Sequence, residues 1–168
     1  MFERLGFQFE GITPELLDVD LLLSSPHLYE QCLVKYIKNA QSFDLYSQSD
    51  FLENSDCPVK IEGIERLNAT MFQNCARLAA HFGHVGPVSA HLFISPKGGV
   101  SFPMHTDLDD VVIYMVEGRK VFKFPDGEIE LTAGDSIHIP RGELHQAINV
   151  DSSLMISFGL ELFLEAKL

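Results

Sequence analysis

The sequence has no tryptophan, only three cysteines, and half as many basic as acidic side chains, 12 Lys and Arg against 24 Asp and Glu. Without tryptophan, aromatic packing rests mainly on the 13 phenylalanines. Cys32, Cys57 and Cys75 are odd in number and lack a CxxC spacing, which argues against a disulfide framework and against a thiolate zinc site. The formal net charge is −12, and the basic residues are scattered. No basic face exists to displace counterions from phosphate, so nucleic acid is not an expected partner. No run approaches the ~20 apolar residues that cross a bilayer. The opening MFERLGFQFEG has no apolar signal core, so the expectation is a cytoplasmic protein with no membrane partner.

What is present is the composition of one globular domain, 168 residues long and 46% hydrophobic, enough chain to bury a core without staples. The expected layout is one domain over 1–168, with a helical N-terminal extension over 1–85 and a β core over 86–165. Thr13-Pro14 and Ser25-Pro26 each read as a helix start, a capping hydroxyl followed by proline at the first helical position. Leu28, Cys32, Leu33, Tyr36, Ile37 and Ala40 recur at spacings of three and four, the pattern of a helix face. A second such stripe is Ile64, Leu67, Met71, Cys75, Leu78 and Phe82, ending at Gly83, a helix stop. Cys32 and Cys75 sit on these stripes and are expected to behave as small buried hydrophobes. Residues 44–60 are polar, carry Pro58 and are expected to form a loop.

From Val88 the segments become short, apolar and punctuated. Strands are expected near 88–95, 100–105, 111–116, 119–124, 128–131, 135–139, 145–150 and 153–162. Pro125-Asp126-Gly127 is a turn, with Glu117-Gly118 and Ala133-Gly134-Asp135 as similar breaks. So many short strands without intervening helices imply an antiparallel sandwich or barrel.

Two signals for chemistry coincide in this half. In Pro103-Met104-His105-Thr106-Asp107, His and Asp two apart share a face if extended. Farther on, Gly134, Pro140 and Gly142 shape turns that deliver His145 at the head of a strand, with Asn149 four residues later. Two imidazoles and one carboxylate form a facial triad that leaves metal positions open, the arrangement favoured by non-haem Fe(II) oxygenases. Without a metal, the same three residues would be a polar cluster satisfied by hydrogen bonds.

Gly134, Pro140, Gly142, His145 and Asn149 resemble the second cupin motif, G-x5-P-x-G-x2-H-x3-N, at every fixed position. Gly99, His105 and Gly118 fit the first motif, in which Asp107 stands where a second His is usual. With H-x-D and a distal His, residues 88–160 resemble the JmjC-like and cupin-like Fe(II)/2-oxoglutarate oxygenases. The resemblance implies a mainly β double-stranded β-helix, the cupin jelly roll. It also implies Fe(II) held by His105, Asp107 and His145, and 2-oxoglutarate and O2 as co-substrates. The activity implied is hydroxylation of a C–H bond in a peptide, an amino acid or a small metabolite. Asp107 favours that outcome, since halogenating relatives lack the carboxylate. Cupins often pair through sheet edges, so a homodimer is also among the expectations. Rival readings are a metallocupin that uses no 2-oxoglutarate, such as another dioxygenase or an isomerase, and a non-catalytic cupin that binds a ligand.

Lys120 alternates in step with Phe122 and Phe124, so it is expected to point inward, where a lysine is costly unless an anion meets it. It also lies fifteen residues after His105. In one branch of the similar oxygenases that position binds the distal carboxylate of 2-oxoglutarate. The helper threonine of that branch is replaced by Phe102, which leaves Ser101, Tyr114 or Ser157 as hydroxyl candidates. Arg141 in its polar turn reads as solvated. His138 lies on the opposite face from Ile137 and Ile139 and is expected outside. His27, His81, His84 and His91 have no partner at ligand spacing and are expected to be structural or at the surface.

Overall fold

The structure is a computed structural model that describes residues 3–163. The expected boundaries at 1 and 168, and the end of the β core at 165, lie outside the described residues. The chain opens with a two-residue strand β1 (Glu3–Arg4) and three short helices, α1 (Pro14–Leu17), α2 (Val19–Ser24) and α3 (Pro26–Glu30). Thr13 caps α1 by accepting the Leu16 amide at 3.2 Å; α3 starts at Ser25-Pro26 as expected, with Pro26 in the first turn, but the Ser25 hydroxyl makes no capping bond.

The stripe from Leu28 to Ala40 is not one helix. α3 stops at Glu30, Cys32 takes φ 54°, and the chain turns into strand β2 (Val34–Lys38). Asn39 and Ala40, both at positive φ, make the two-residue turn into β3 (Gln41–Asp44), the backbone that suits a tight hairpin. Cys32 is exposed as a result, and Cys75 is buried as expected. The polar stretch 44–60 is not a plain loop. It holds α4 (Gln48–Glu53), capped by Ser47, and β4 (Val59–Ile61). A short 3-10 turn (Ile64–Arg66) leads to α5 (Ala69–Phe82). There the expected stripe is real: Met71, Cys75 and Leu78 are buried, Asn68 caps the start, and Gly83 closes the helix at φ 58°.

The second half forms β5 (Val88–Ser95), β6 (Asp110–Phe124), β7 (Gly127–Thr132), β8 (Ser136–Ile139), β9 (Gln146–Ile148) and β10 (Ser153–Leu160). The sheet order is β1-β8-β6-β10-β5-β4-β2-β3, and β7 and β9 also pair with β6. Every ladder is antiparallel. The long strand β6 closes the jelly roll: its first half pairs with β8 and β10, its second half with β7 and β9. The fold is therefore mainly β with N-terminal helices packed on it, as expected. The N-terminal segment does more than cover the barrel, because β4, β2 and β3 extend its sheet beyond β5.

Two cores result. One joins the helices to the outer face of the sheet, through Leu17, Leu28, Met71, Leu78, Leu92, Ile156 and Phe158. The other fills the barrel with Ile113, Met115, Phe122, Leu131, Ile137 and Met155.

Glu117-Gly118, expected to separate two strands, instead continues β6: both pair with β10, and the register shifts by one residue just before them, at Val116. Gly118 sits at φ 77°, and a Cβ there would overlap the Ser152 carbonyl oxygen. Left-handed strain and backbone overlap act together, so Gly118→Ala is expected to lose about 2–3 kcal/mol. Urea unfolding checks this; a midpoint equal to wild type contradicts it.

Candidate metal centre and its cavity

The stretch 100–105, expected as a strand, is irregular, and its only ladder contact among the described residues is a single antiparallel bridge between His105 and His145. The two exchange both backbone bonds, His105 N–H to His145 C=O at 2.9 Å and His145 N–H to His105 C=O at 2.8 Å. Directly opposed residues present their side chains on one face, and the ring centroids lie 4.5 Å apart. Each ring is oriented by a nearby carbonyl, His105 Nδ1 by Pro103 O at 2.8 Å and His145 Nδ1 by Glu143 O at 2.9 Å. A carbonyl only accepts, so Nδ1 carries a proton in both rings, and in the neutral form each ring presents its Nε2 lone pair to the space between them.

Asp107 lies close to both Nε2 atoms. Its Oδ1 is 3.8 Å from His105 Nε2 and its Oδ2 is 3.5 Å from His145 Nε2. One ligand atom from each of the three residues falls within 4.8 Å of the others, close enough to hold one metal ion. The turn Pro140–Glu143 supports this group. Gly142, at φ 79°, donates its amide to Asp107 O at 3.0 Å, and the same turn offers the Glu143 carbonyl that orients His145. Buried Asn149 donates to Gly99 O at 2.6 Å and to Ser101 Oγ at 3.2 Å, fixing the segment that leads to His105.

The group opens into a cavity of about 450 Å³ walled largely by Phe93, Phe102, Val111, Ile113, Phe122 and Met155. Lys120 lies in the wall of this cavity, 1% exposed, with Nζ 3.0 Å from Ser95 Oγ. The hydroxyl partner is thus Ser95, not one of the three residues the sequence offers. Ser101 meets Asn149, Tyr114 packs on Phe9 in the other core, and Ser157 lines the cavity wall. Ser95 shares the inward alternation of His91 and Phe93 on β5, the one signal that could have found it.

Burial alone pushes the Lys120 ammonium from its ordinary 10.5 down to about 7. Between those two pH values the unfolded chain holds a proton that the folded chain has released. Stability therefore rises with pH across that window, by up to ~1.4 kcal/mol per pH unit from this residue. Urea unfolding at pH 7.5 and pH 9 should show the extra rise in wild type and not in Lys120→Met; equal slopes would contradict the burial argument.

His91, expected to be structural or at the surface, also lines the cavity. Its Nδ1 accepts the Gly63 amide at 3.4 Å, and burial pushes its pKa down, so the ring is neutral with its proton on Nε2. The alternation of Ser89, His91 and Phe93 along β5 is the signal that could have found it. His138 is half-buried, bonded to Asp110 Oδ1 at 2.9 Å and stacked near Phe82, outside the cavity. His27, His81 and Arg141 are exposed, and His84 bonds Pro87 O. Among the described residues, no helix is long and apolar enough to cross a membrane.

The fold is a jelly roll whose cavity carries a candidate metal site, and residues 91–158 match the family described as Cupin domain. Among curated proteins, the chain is similar to the bifunctional lysine-specific demethylase and histidyl-hydroxylase NO66 of Dictyostelium discoideum. The two are 27% identical over 118 residues, covering 55% of this chain and 23% of that protein. Among solved structures it resembles YcfD, a ribosomal oxygenase from Escherichia coli, in complex with cobalt and succinic acid. The TM-score is 0.67 at 18% identity, over 99% of this chain and 49% of that one. Against the same protein in complex with cobalt and 2-oxoglutarate, the TM-score is 0.63 at 17% identity, over 97% of this chain and 48% of that one. The chain thus spans about a quarter of its curated relative and about half of its structural one.

Proposed function

We propose that this protein is an Fe(II)/2-oxoglutarate-dependent oxygenase that hydroxylates a C–H bond of a peptide, an amino acid or a small metabolite. The observation that carries the reading is Lys120. It is a fully buried lysine in the wall of the cavity that holds the His105, Asp107 and His145 group, with a hydroxyl beside it and no ion-pair partner among the described residues. Such a residue calls for an anionic ligand. The names of the relatives support the class: a histidyl-hydroxylase, and an oxygenase crystallised with cobalt and 2-oxoglutarate.

The donor set fits Fe(II): two neutral imidazole nitrogens held in the metal-binding tautomer by backbone carbonyls, and one carboxylate. Iron, when bound, would supply the O2 activation that couples oxidative decarboxylation of 2-oxoglutarate to oxidation of a substrate C–H. The protein's part is placement. His105 and His145 Nε2 and an Asp107 oxygen would hold the ion, and three protein ligands would leave it free to take others. Lys120 Nζ and Ser95 Oγ would hold the far carboxylate of the co-substrate. Phe93, Phe102 and Phe122 keep water away from the reacting atoms. His91 Nε2 is a hydrogen-bond donor left for the substrate side.

NMR of 2-oxoglutarate incubated with the protein, Fe(II), ascorbate and air is the direct test. Slow conversion to succinate that vanishes in Asp107→Ala is the expected result. Metal binding without any succinate would place the protein with the metallocupins that use no 2-oxoglutarate.

A further inference from the structure

We infer that the far carboxylate of the dicarboxylate co-substrate enters the cavity together with one proton from solvent, and that Lys120 Nζ takes up that proton. This rests on the co-substrate reading above and adds a linkage that the reading does not require.

Lys120 is 1% exposed, and its polar partner is the neutral Ser95 hydroxyl at 3.0 Å. The Phe93 ring centroid lies 5.9 Å from Nζ, and Phe122 on its own strand and Leu131 opposite it on β7 are apolar. The charged and titratable groups of the cavity belong to other elements. They are Lys60 on β4, His91 on β5, the metal ligands His105, Asp107 and His145, Asp109 ahead of β6, and Glu161 after β10. Lys60 is already paired with Glu62 at 2.6 Å, and among the described residues no carboxylate forms an ion pair with Lys120. A lone ammonium in such surroundings is expensive, and the group sheds its proton instead of staying charged. The downward shift of Lys120 has burial as its only cause, which agrees with this inventory.

Ser95 suits a lysine that changes state. Its hydroxyl accepts from an ammonium and donates to an amine, so neither form leaves a buried polar atom without a partner. The linkage balances as carboxylate plus solvent proton plus Lys120 amine giving an ammonium–carboxylate pair; no covalent bond to carbon forms or breaks. A divalent ion on the triad would place another positive charge in the same cavity and favour the amine further until the dianion arrives.

The test is titration calorimetry of 2-oxoglutarate into the Mn(II)-loaded protein, in buffers of different ionisation heat, from pH 6 to pH 8.5. We expect uptake of about one proton per ligand bound at pH 8, falling towards none at pH 6. The apparent Kd should rise up to about tenfold per pH unit above the Lys120 midpoint. Lys120→Met should bind more weakly, with a pH-independent Kd and no uptake. Binding without uptake, or uptake that persists in Lys120→Met, overturns the inference and leaves the co-substrate reading standing. No binding by the wild-type protein at any pH sinks the co-substrate reading itself.

Discussion

Asp107→Ala should abolish the stabilisation that Fe(II) under anaerobic conditions, or Mn(II), confers on the protein, while leaving the metal-free melting temperature within a few degrees of wild type. A metal that binds the folded state alone adds ~2.7 kcal/mol at a hundredfold excess over its Kd. For a domain of this size that is a Tm rise of about 5–10 °C. Asp107 supplies the one anionic ligand, lying 3.8 Å from His105 Nε2 and 3.5 Å from His145 Nε2. Its side chain is about one-third exposed, so truncation leaves no cavity in the core. The backbone pairing of His105 with His145 does not use this carboxylate. His145→Ala should lose the metal response equally. Differential scanning fluorimetry across a metal titration reads both variants. A full metal shift retained in Asp107→Ala would mean that the ion sits elsewhere.

Lys120→Met should move affinity and stability in opposite directions. The fold should gain about 1–3 kcal/mol, because an unpaired buried amine is replaced by an apolar side chain of similar length. Affinity for 2-oxoglutarate should fall by about 2–4 kcal/mol, some thirty- to thousandfold, because the far carboxylate loses its buried cation. Few structural residues behave this way; a site that stores unfavourable burial for use in binding does. Urea unfolding and ligand titration on the same variant decide it. A destabilised fold would mean that Lys120 is satisfied within the protein and is structural.

The parts of this account legible in the sequence are those written in short-range spacing. His105 and Asp107 two apart, the Pro140–Gly142 turn ahead of His145, and the inward alternation of Lys120 with Phe122 and Phe124 all appear as expected. What the sequence hides is set by partners distant along the chain. Leu28 to Ala40 carries helical spacing, yet Val34–Lys38 is a strand because β4 lies beside it to pair with. On β5, a strand held between β10 and β4, His91 lines the cavity and Ser95 meets Lys120; alternation along β5 hints at the face they share but does not say what that face meets. Gly118 reads as a break between strands, but the Ser152 carbonyl that demands a glycine lies on the approach to β10.

The most direct test of the central claim is anaerobic titration of the Fe(II)-loaded protein with 2-oxoglutarate, watching for the metal-to-ligand charge-transfer absorbance of a chelated 2-oxo acid. The account predicts a band that requires Asp107 and His145 and that needs much higher 2-oxoglutarate to appear in Lys120→Ala. Iron bound with no such band at any 2-oxoglutarate concentration would contradict it.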